Sequence, residues 1–355
     1  MKSYLEEQLG TDALPAAPGV FYTFKDESLR QQFIANRFRR REILPRKRIS
    51  ERQFEEQRAI LEPLMAAVAT LGRLPEVEEF PEATLVIERF GSLKRAFAVV
   101  RRVTGEAEWD AIAQRRTEDL LVYLALARFG KRPKLGELPR TLRADMKAFF
   151  GLKKGDSPLQ SPRGTVPFFR ACKLADELLF RAGDATAIDE ACKRSPIGKL
   201  LPDDLYVHRS ALDHLEPLLR IYEGCGRAYL GEVEGANIIK IHRRSGKLSY
   251  LIYPDFDTDP HPALQRCVRL SLRTRQLDCY DYNESVNPPI LHRKETFLHP
   301  AHPLHAKFAR LTQQEEKAGL LADPATIGTR DGWLLRLRDK GLACRGHRLI
   351  KALTC

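Results

Sequence analysis

Asp255, Asp257 and Asp259 take alternate positions in "YPDFDTDPHP" (253–262), with His261 two residues further on. Downstream, "NPPILHRKETF" (287–297) sets His292, Arg293, Lys294 and Glu295 side by side between prolines and an apolar tail. Alternate carboxylates just beyond a strand can converge on a hard divalent cation, as a nuclease needs to stabilise a pentavalent phosphate. On that reading Asp255, Asp257, His261, His292, Lys294 and Glu295 are candidate catalytic residues of a metal-dependent nuclease. Asp-Pro and His-Pro steps equally build turns; both readings stay open, and the residues alone assign no metal site.

Other candidate groups fit known chemistry less well. His299, His302 and His305 recur at near zinc-ligand spacing, but Pro300 and Pro303 break any helix that would align them. "YEGCGRAYLGEVEGANIIK" (222–240) supplies Glu223, Glu232, Glu234 and Lys240, without the Asp and Glu-x-Lys spacing of restriction-type nucleases. A glycine-rich loop opening a helix after a strand, the cradle for S-adenosylmethionine or a dinucleotide, is absent from the pattern, as is GxxxxGK[ST]. "EGCGR" (223–227) is the nearest imitation, and it follows a helix.

The elements that must position these groups form an α+β chain. At 355 residues it is long enough for two or three domains. Its 59 Lys and Arg against 47 Asp and Glu, a formal net charge of +12, favour phosphate-rich partners. Seven cysteines without a CxxC pair argue against a disulfide framework or a zinc ribbon. With no bilayer-length apolar run and an acidic start, "MKSYLEEQLG", the chain is expected to be cytoplasmic, with no membrane partner.

Residues 1–25 read as a helix, "SYLEEQL", a turn at Pro15 to Gly19, and a strand, "GVFYTF" (19–24), with no visible sheet partner. Residues 26–49 form a helix leading into "RFRRREILPRKR", with eight basic residues and one acidic residue between Arg30 and Arg48. Arg37, Arg39, Arg40, Arg41, Arg46, Lys47 and Arg48 suit phosphate oxygens, although a solvated linker face has the same composition.

Residues 50–194 are helical in period and carry a repeat: "LGRLPEVEEFP" (71–81) aligns without a gap on "FGKRPKLGELP" (129–139). The first unit, through "IERFGSLKRAF", resembles the helical repeats appended to homing endonucleases. That resemblance implies DNA contact by Arg89, Lys94 and Arg95; a structural spacer is the alternative. From residue 195 to 355 alternating runs are joined by two-residue connections at Ser245-Gly246 and Arg275-Gln276, predicting antiparallel hairpins in an α+β module.

In order, "APGVFYTFKDESLRQQFIANRFRRR", "DLLVYLALARFGKRPKLGELP", "CKLADELLFRAGD", "SPIGKLLPDDLYVHRSALDHLEPLLRIYEGC", "EGANIIKIHR", "YPDFDTDPHPAL" and "NPPILHRKE" resemble the DNA phosphorothioation-associated methyltransferases of bacteria, from about residue 4 to about residue 348. Full-length members carry an amino-terminal Rossmann-like domain for S-adenosylmethionine. Residues 1–25 resemble only that domain's last helix and strand, a remnant of a split or truncated methyltransferase, so no cofactor is expected in this chain. The resemblance implies a DNA-binding accessory component of a DNA modification or phage defence system, with DNA and a separately encoded methyltransferase half or other modification proteins as partners. The alternative is a nuclease acting on modified DNA.

Overall fold

The structure, a computed structural model, describes residues 1–37, 49–151 and 166–352. The chain divides into two bodies, residues 1–58 and 59–355.

In the first body, α1 (Lys2–Leu9) stops at Gly10, whose φ of 66° lets its N–H reach back to the Glu6 carbonyl. β1 (Ala13–Ala17) and β2 (Val20–Thr23) then form an antiparallel hairpin, with Leu14 opposite Tyr22. This corrects the expectation of a partnerless strand in "GVFYTF". The partner reads as a turn in sequence because it contains Pro15, yet a two-stranded ribbon has open edges where proline costs little. Phe33 of α2 (Glu27–Arg37) packs on the hairpin, its ring 5.3 Å from Tyr22 and 5.1 Å from Phe24. α3 (Ile49–Glu56) completes this body. Arg37 is the last residue of α2, and Arg39, Arg40, Arg41, Arg46, Lys47 and Arg48 lie outside the described residues.

The second body begins with helices α4 (Arg58–Leu71), α5 (Ala83–Phe90), α6 (Leu93–Thr104), α7 (Ala107–Leu126) and α8 (Arg140–Phe150). The repeat is visible in its local structure. Each copy closes with a 3-10 turn, Val77–Glu79 or Leu135–Glu137. In each, the third-position glutamate accepts the backbone N–H three residues earlier, Glu76 or Lys134, at 2.9 Å.

Arg73 of the first copy is 7% exposed and directs all its donors inward. Its guanidinium meets Glu79 through two bonds of 2.7 and 2.9 Å and Asp145 of α8 at 2.6 Å, and adds the Leu74 and Thr141 carbonyls. Those bonds hold the Glu79 carboxyl at about 2. The Gly-Arg-x-Pro turn is therefore a strut between repeats. In the second copy Arg132 grips Asp176 at 2.6 Å and the Leu124 carbonyl at 2.8 Å.

α9 (Val166–Arg181) and α10 (Ala185–Arg194) lead to the sheet: β3 (Lys199–Leu200), β4 (Asp204–His208), then α11 (Pro217–Leu230), β5 (Ile238–His242), β6 (Lys247–Ile252), β7 (Arg266–Ser271) and β8 (Leu277–Asp281). The six strands lie in sequence order, and every strand pair among the described residues is antiparallel. The hairpins expected at Ser245-Gly246 and Arg275-Gln276 both form. β8 is a largely exposed edge carrying Asp278 and Asp281, and two-residue β3 is the other edge.

Alternation along the strands fills two cores. Ile239, Ile241, Leu248 and Tyr250 join Leu120, Leu124, Ala171 and Leu219 of the helices in one cluster, so the compositional change at 194/195 is no break in packing. The two glycines of "EGCGR" serve this packing. A Cβ on Gly224 would lie 2.6 Å from Leu126 of α7, and one on Gly226 would lie 2.5 Å from Leu248 of β6, so glycine lets α11 fit between helix and sheet. On the opposite face Ile238, Leu251 and Cys267 pack against Phe256, Phe297 and Phe308. The chain finishes with α12 (His305–Lys317), α13 (Arg330–Asp339) and the hairpin β9 (Leu342–Cys344) and β10 (Leu349–Lys351). No helix among the described residues is long and apolar enough to cross a membrane.

Candidate functional site

α12 is amphipathic in an informative way. Phe308, Leu311, Thr312 and Glu315, spaced three and four apart, are its buried residues. Lys307, Arg310 and Gln314 form the adjacent stripe. The β9–β10 turn, Arg345 to Arg348, is closed by the Arg345 N–H on the Arg348 carbonyl at 2.9 Å and by Gly346 at a φ of 53°. Gln314 Oε1 accepts the Leu349 N–H at 2.9 Å and docks the hairpin on the helix. Between them lies a cleft of about 270 Å³ lined by Lys307, Arg310, Gln314, Arg345, His347 and Arg348. No carboxylate lines it, and among the described residues none of its four Lys and Arg side chains makes an ion pair.

His347 connects the cleft to the interior. Its ring stacks on Phe308 at 5.1 Å, and its Nε2 lies 3.0 Å from Lys294 Nζ. Lys294 is 2% exposed and gives its other protons to the carbonyls of Phe256 at 2.7 Å and Asp259 at 2.5 Å. Its ammonium also sits over the Phe308 ring, 3.9 Å from the centroid. Burial pulls Lys294 down to about 7 and His347 to about 4. A neutral His347 that accepts from Lys294 keeps its proton on the other ring nitrogen.

Deeper still, His261 Nε2 meets Glu315 Oε1 at 2.7 Å, the glutamate being 1% exposed. Burial drives both toward their neutral forms: the carboxyl rises to about 7 and the imidazole falls to about 3. The His261 ring lies 4.4 Å from Trp333 and 4.8 Å from His292. His292 Nε2 bonds the Ile327 carbonyl at 2.8 Å, and its buried Nδ1 has no hydrogen-bond partner. Cys344, its thiol pushed up to about 12 by burial, completes the cluster.

Of the six candidate catalytic residues, the fold gathers His261, His292 and Lys294. Asp255 and Asp257 are exposed on the turn after β6, and their carboxylates make no hydrogen bond or ion pair among the described residues. The Asp255 carbonyl and the Asp259 carboxylate shape that turn, the latter accepting the His261 N–H at 2.8 Å. Glu295 is held by the Thr312 hydroxyl at 2.8 Å. His299 and His302 cap turns through Nδ1, at 3.1 Å to the Ala301 N–H and 3.2 Å to the Leu304 N–H. Glu223 is buried with Arg227 at 3.1 Å, and Lys240 pairs with Asp204 at 2.9 Å. Arg89, Lys94 and Arg95 are exposed beside the α5–α6 turn, with no ion pair among the described residues.

Sequence reasoning misses Glu315, Cys344, His347 and the four cations of the cleft. The signal available is "CRGHR" (344–348), which crowds a thiol, two arginines and a histidine around one glycine. A second, more apolar cleft of about 460 Å³ opens on the α11 face, where Phe129, Tyr222, Tyr229 and Leu270 join Arg273 and Arg275. Compared with family models, curated proteins and solved structures, the chain matches none.

Proposed function

We propose that the chain is a DNA-binding component of a bacterial modification or defence system of the kind its motifs resemble, and that the α12/β9–β10 cleft is its principal phosphate contact. The observation that carries this reading is the carboxylate-free lining of Lys307, Arg310, Arg345 and Arg348. Several cations elsewhere in this body, Arg73, Arg132 and Arg243 among them, are matched by acids. Four gathered without one repel each other until an anion arrives, and arginine forks fit phosphate oxygens. Arg89, Lys94 and Arg95 offer a second exposed contact. The nuclease alternative has less support, because Asp255 and Asp257 stand exposed on the turn after β6 while Glu295 is held by Thr312 and His261 by Glu315.

Fluorescence anisotropy with duplex DNA across a salt series tests the reading. Affinity should fall steeply with salt, and replacing Lys307, Arg310, Arg345 and Arg348 by alanine should flatten the log–log slope by about 0.9 for each phosphate no longer neutralised. Binding indifferent to both salt and these substitutions would refute it.

The same reading leaves methyl transfer to a partner. A methyl donor sits at the carboxyl ends of parallel strands, and the described sheet has only antiparallel pairs. Calorimetry with S-adenosylmethionine should therefore register no saturable heat; a stoichiometric micromolar isotherm would overturn this expectation.

A further inference from the structure

We infer that His261, Glu315 and Cys344 are the ligands of a single borderline-soft divalent ion, Zn²⁺ by chemical class, set behind the basic cleft. Their donor atoms, Nε2, a carboxylate oxygen and Sγ, all lie within 4.8 Å of one another. Tetrahedral zinc with bonds of about 2.0–2.3 Å separates its ligands by roughly 3.3–3.8 Å. The widest pair therefore has to close by about 1 Å, while the His261–Glu315 pair opens by a comparable amount. Such adjustments are within reach of side-chain torsions.

Three further observations point the same way. The ligands come from three separate elements, the loop after β6, the buried face of α12 and the end of β9, so no local turn or cap accounts for their meeting. Their charges also match the ion: one carboxylate, one thiolate and one neutral imidazole make a divalent cation net neutral. Finally, His292 is arranged as a metal-binding imidazole is, with Nε2 anchored on the Ile327 carbonyl and a buried, partnerless lone pair at Nδ1. Its ring lies 4.8 Å from that of His261, so it borders the three ligands.

The thiolate decides the metal. Sulfur ligands favour zinc over the magnesium or calcium that a cluster of aspartates would hold. Binding breaks the Cys344 S–H bond and displaces the proton shared by His261 and Glu315, so up to two protons pass to buffer as the metal bonds form. The ion then ties α12 to the β9–β10 hairpin, the two walls of the cleft.

Titration of the purified full chain with Co²⁺, in a non-thiol reductant and without DNA, tests the site independently of nucleic-acid binding. One Co²⁺ per chain should bring up a thiolate-to-cobalt charge-transfer band that Zn²⁺ abolishes, with a rise in melting temperature. Cys344→Ser should lose the band while the ion-free melting temperature stays near that of the parent. Glu315→Gln should weaken Co²⁺ binding by roughly tenfold or more. The absence of a saturable band, or one that persists unchanged in Cys344→Ser and is therefore due to another of the seven cysteines, overturns the assignment.

Discussion

Replacing Arg73 by leucine is expected to destabilise the second body by about 3–5 kcal/mol, the range for breaking a buried ion pair from one side. The reason is what remains. Asp145 is 0% exposed and would keep only Arg116, at 3.2 Å, against its carboxylate. Glu79 would be left without its bidentate partner, and the carbonyls of Leu74 and Thr141 without their donor. Urea denaturation followed by the two tryptophans, Trp109 and Trp333, both buried in this body, measures the change. Arg73→Leu combined with Asp145→Leu should cost less than the single substitution, because the more deeply buried of the two stranded carboxylates is then gone. A single-variant change below about 1 kcal/mol, the surface-pair range, would show that the strut is not as described.

Phe308→Ala is expected to cost a similar amount, about 3–5 kcal/mol, by leaving a cavity behind α12. Phe308 is 1% exposed, and its ring has four aromatic or cationic neighbours: Phe256 at 5.8 Å, His347 at 5.1 Å, and the ammonium groups of Lys294 at 3.9 Å and Lys307 at 5.9 Å. Phe308→Leu separates volume from ring chemistry. It should recover most of the stability, while the missing stack on His347 should still alter the β9–β10 turn, read as faster amide exchange at Arg345 to Arg348. Equal stability of the alanine and parent proteins in denaturant would contradict the packing assigned to this residue.

Period and turn chemistry make the repeat and the hairpins legible. Pro75 and Pro133 mark equivalent turns, and Ser245-Gly246 sits between alternating runs that become β5 and β6. The strand Ala13–Ala17 is hidden because alanine and proline carry little strand signal. "EGCGR" resembles a cofactor loop because glycine reports close approach without saying to what; here the neighbours are Leu126 and Leu248. Half of the candidate catalytic set converges, but the partners that give it meaning come from far along the chain. His261 finds Glu315 across 54 positions, and Lys294 finds His347 across 53. Such meetings follow from tertiary packing and leave no periodic trace in the sequence.

The open edge at β8 limits how two copies of this chain can meet. A sheet edge is ordinarily an invitation to strand addition, and an antiparallel dimer would extend six strands to twelve. With the dyad midway between Cys279 and Tyr280, Asp278 of each copy falls opposite Asp281 of the other, placing two like-charged pairs across the axis. Self-templating in that register is opposed by the charges the edge carries, which disfavours β8-to-β8 pairing even where copies of the chain are concentrated.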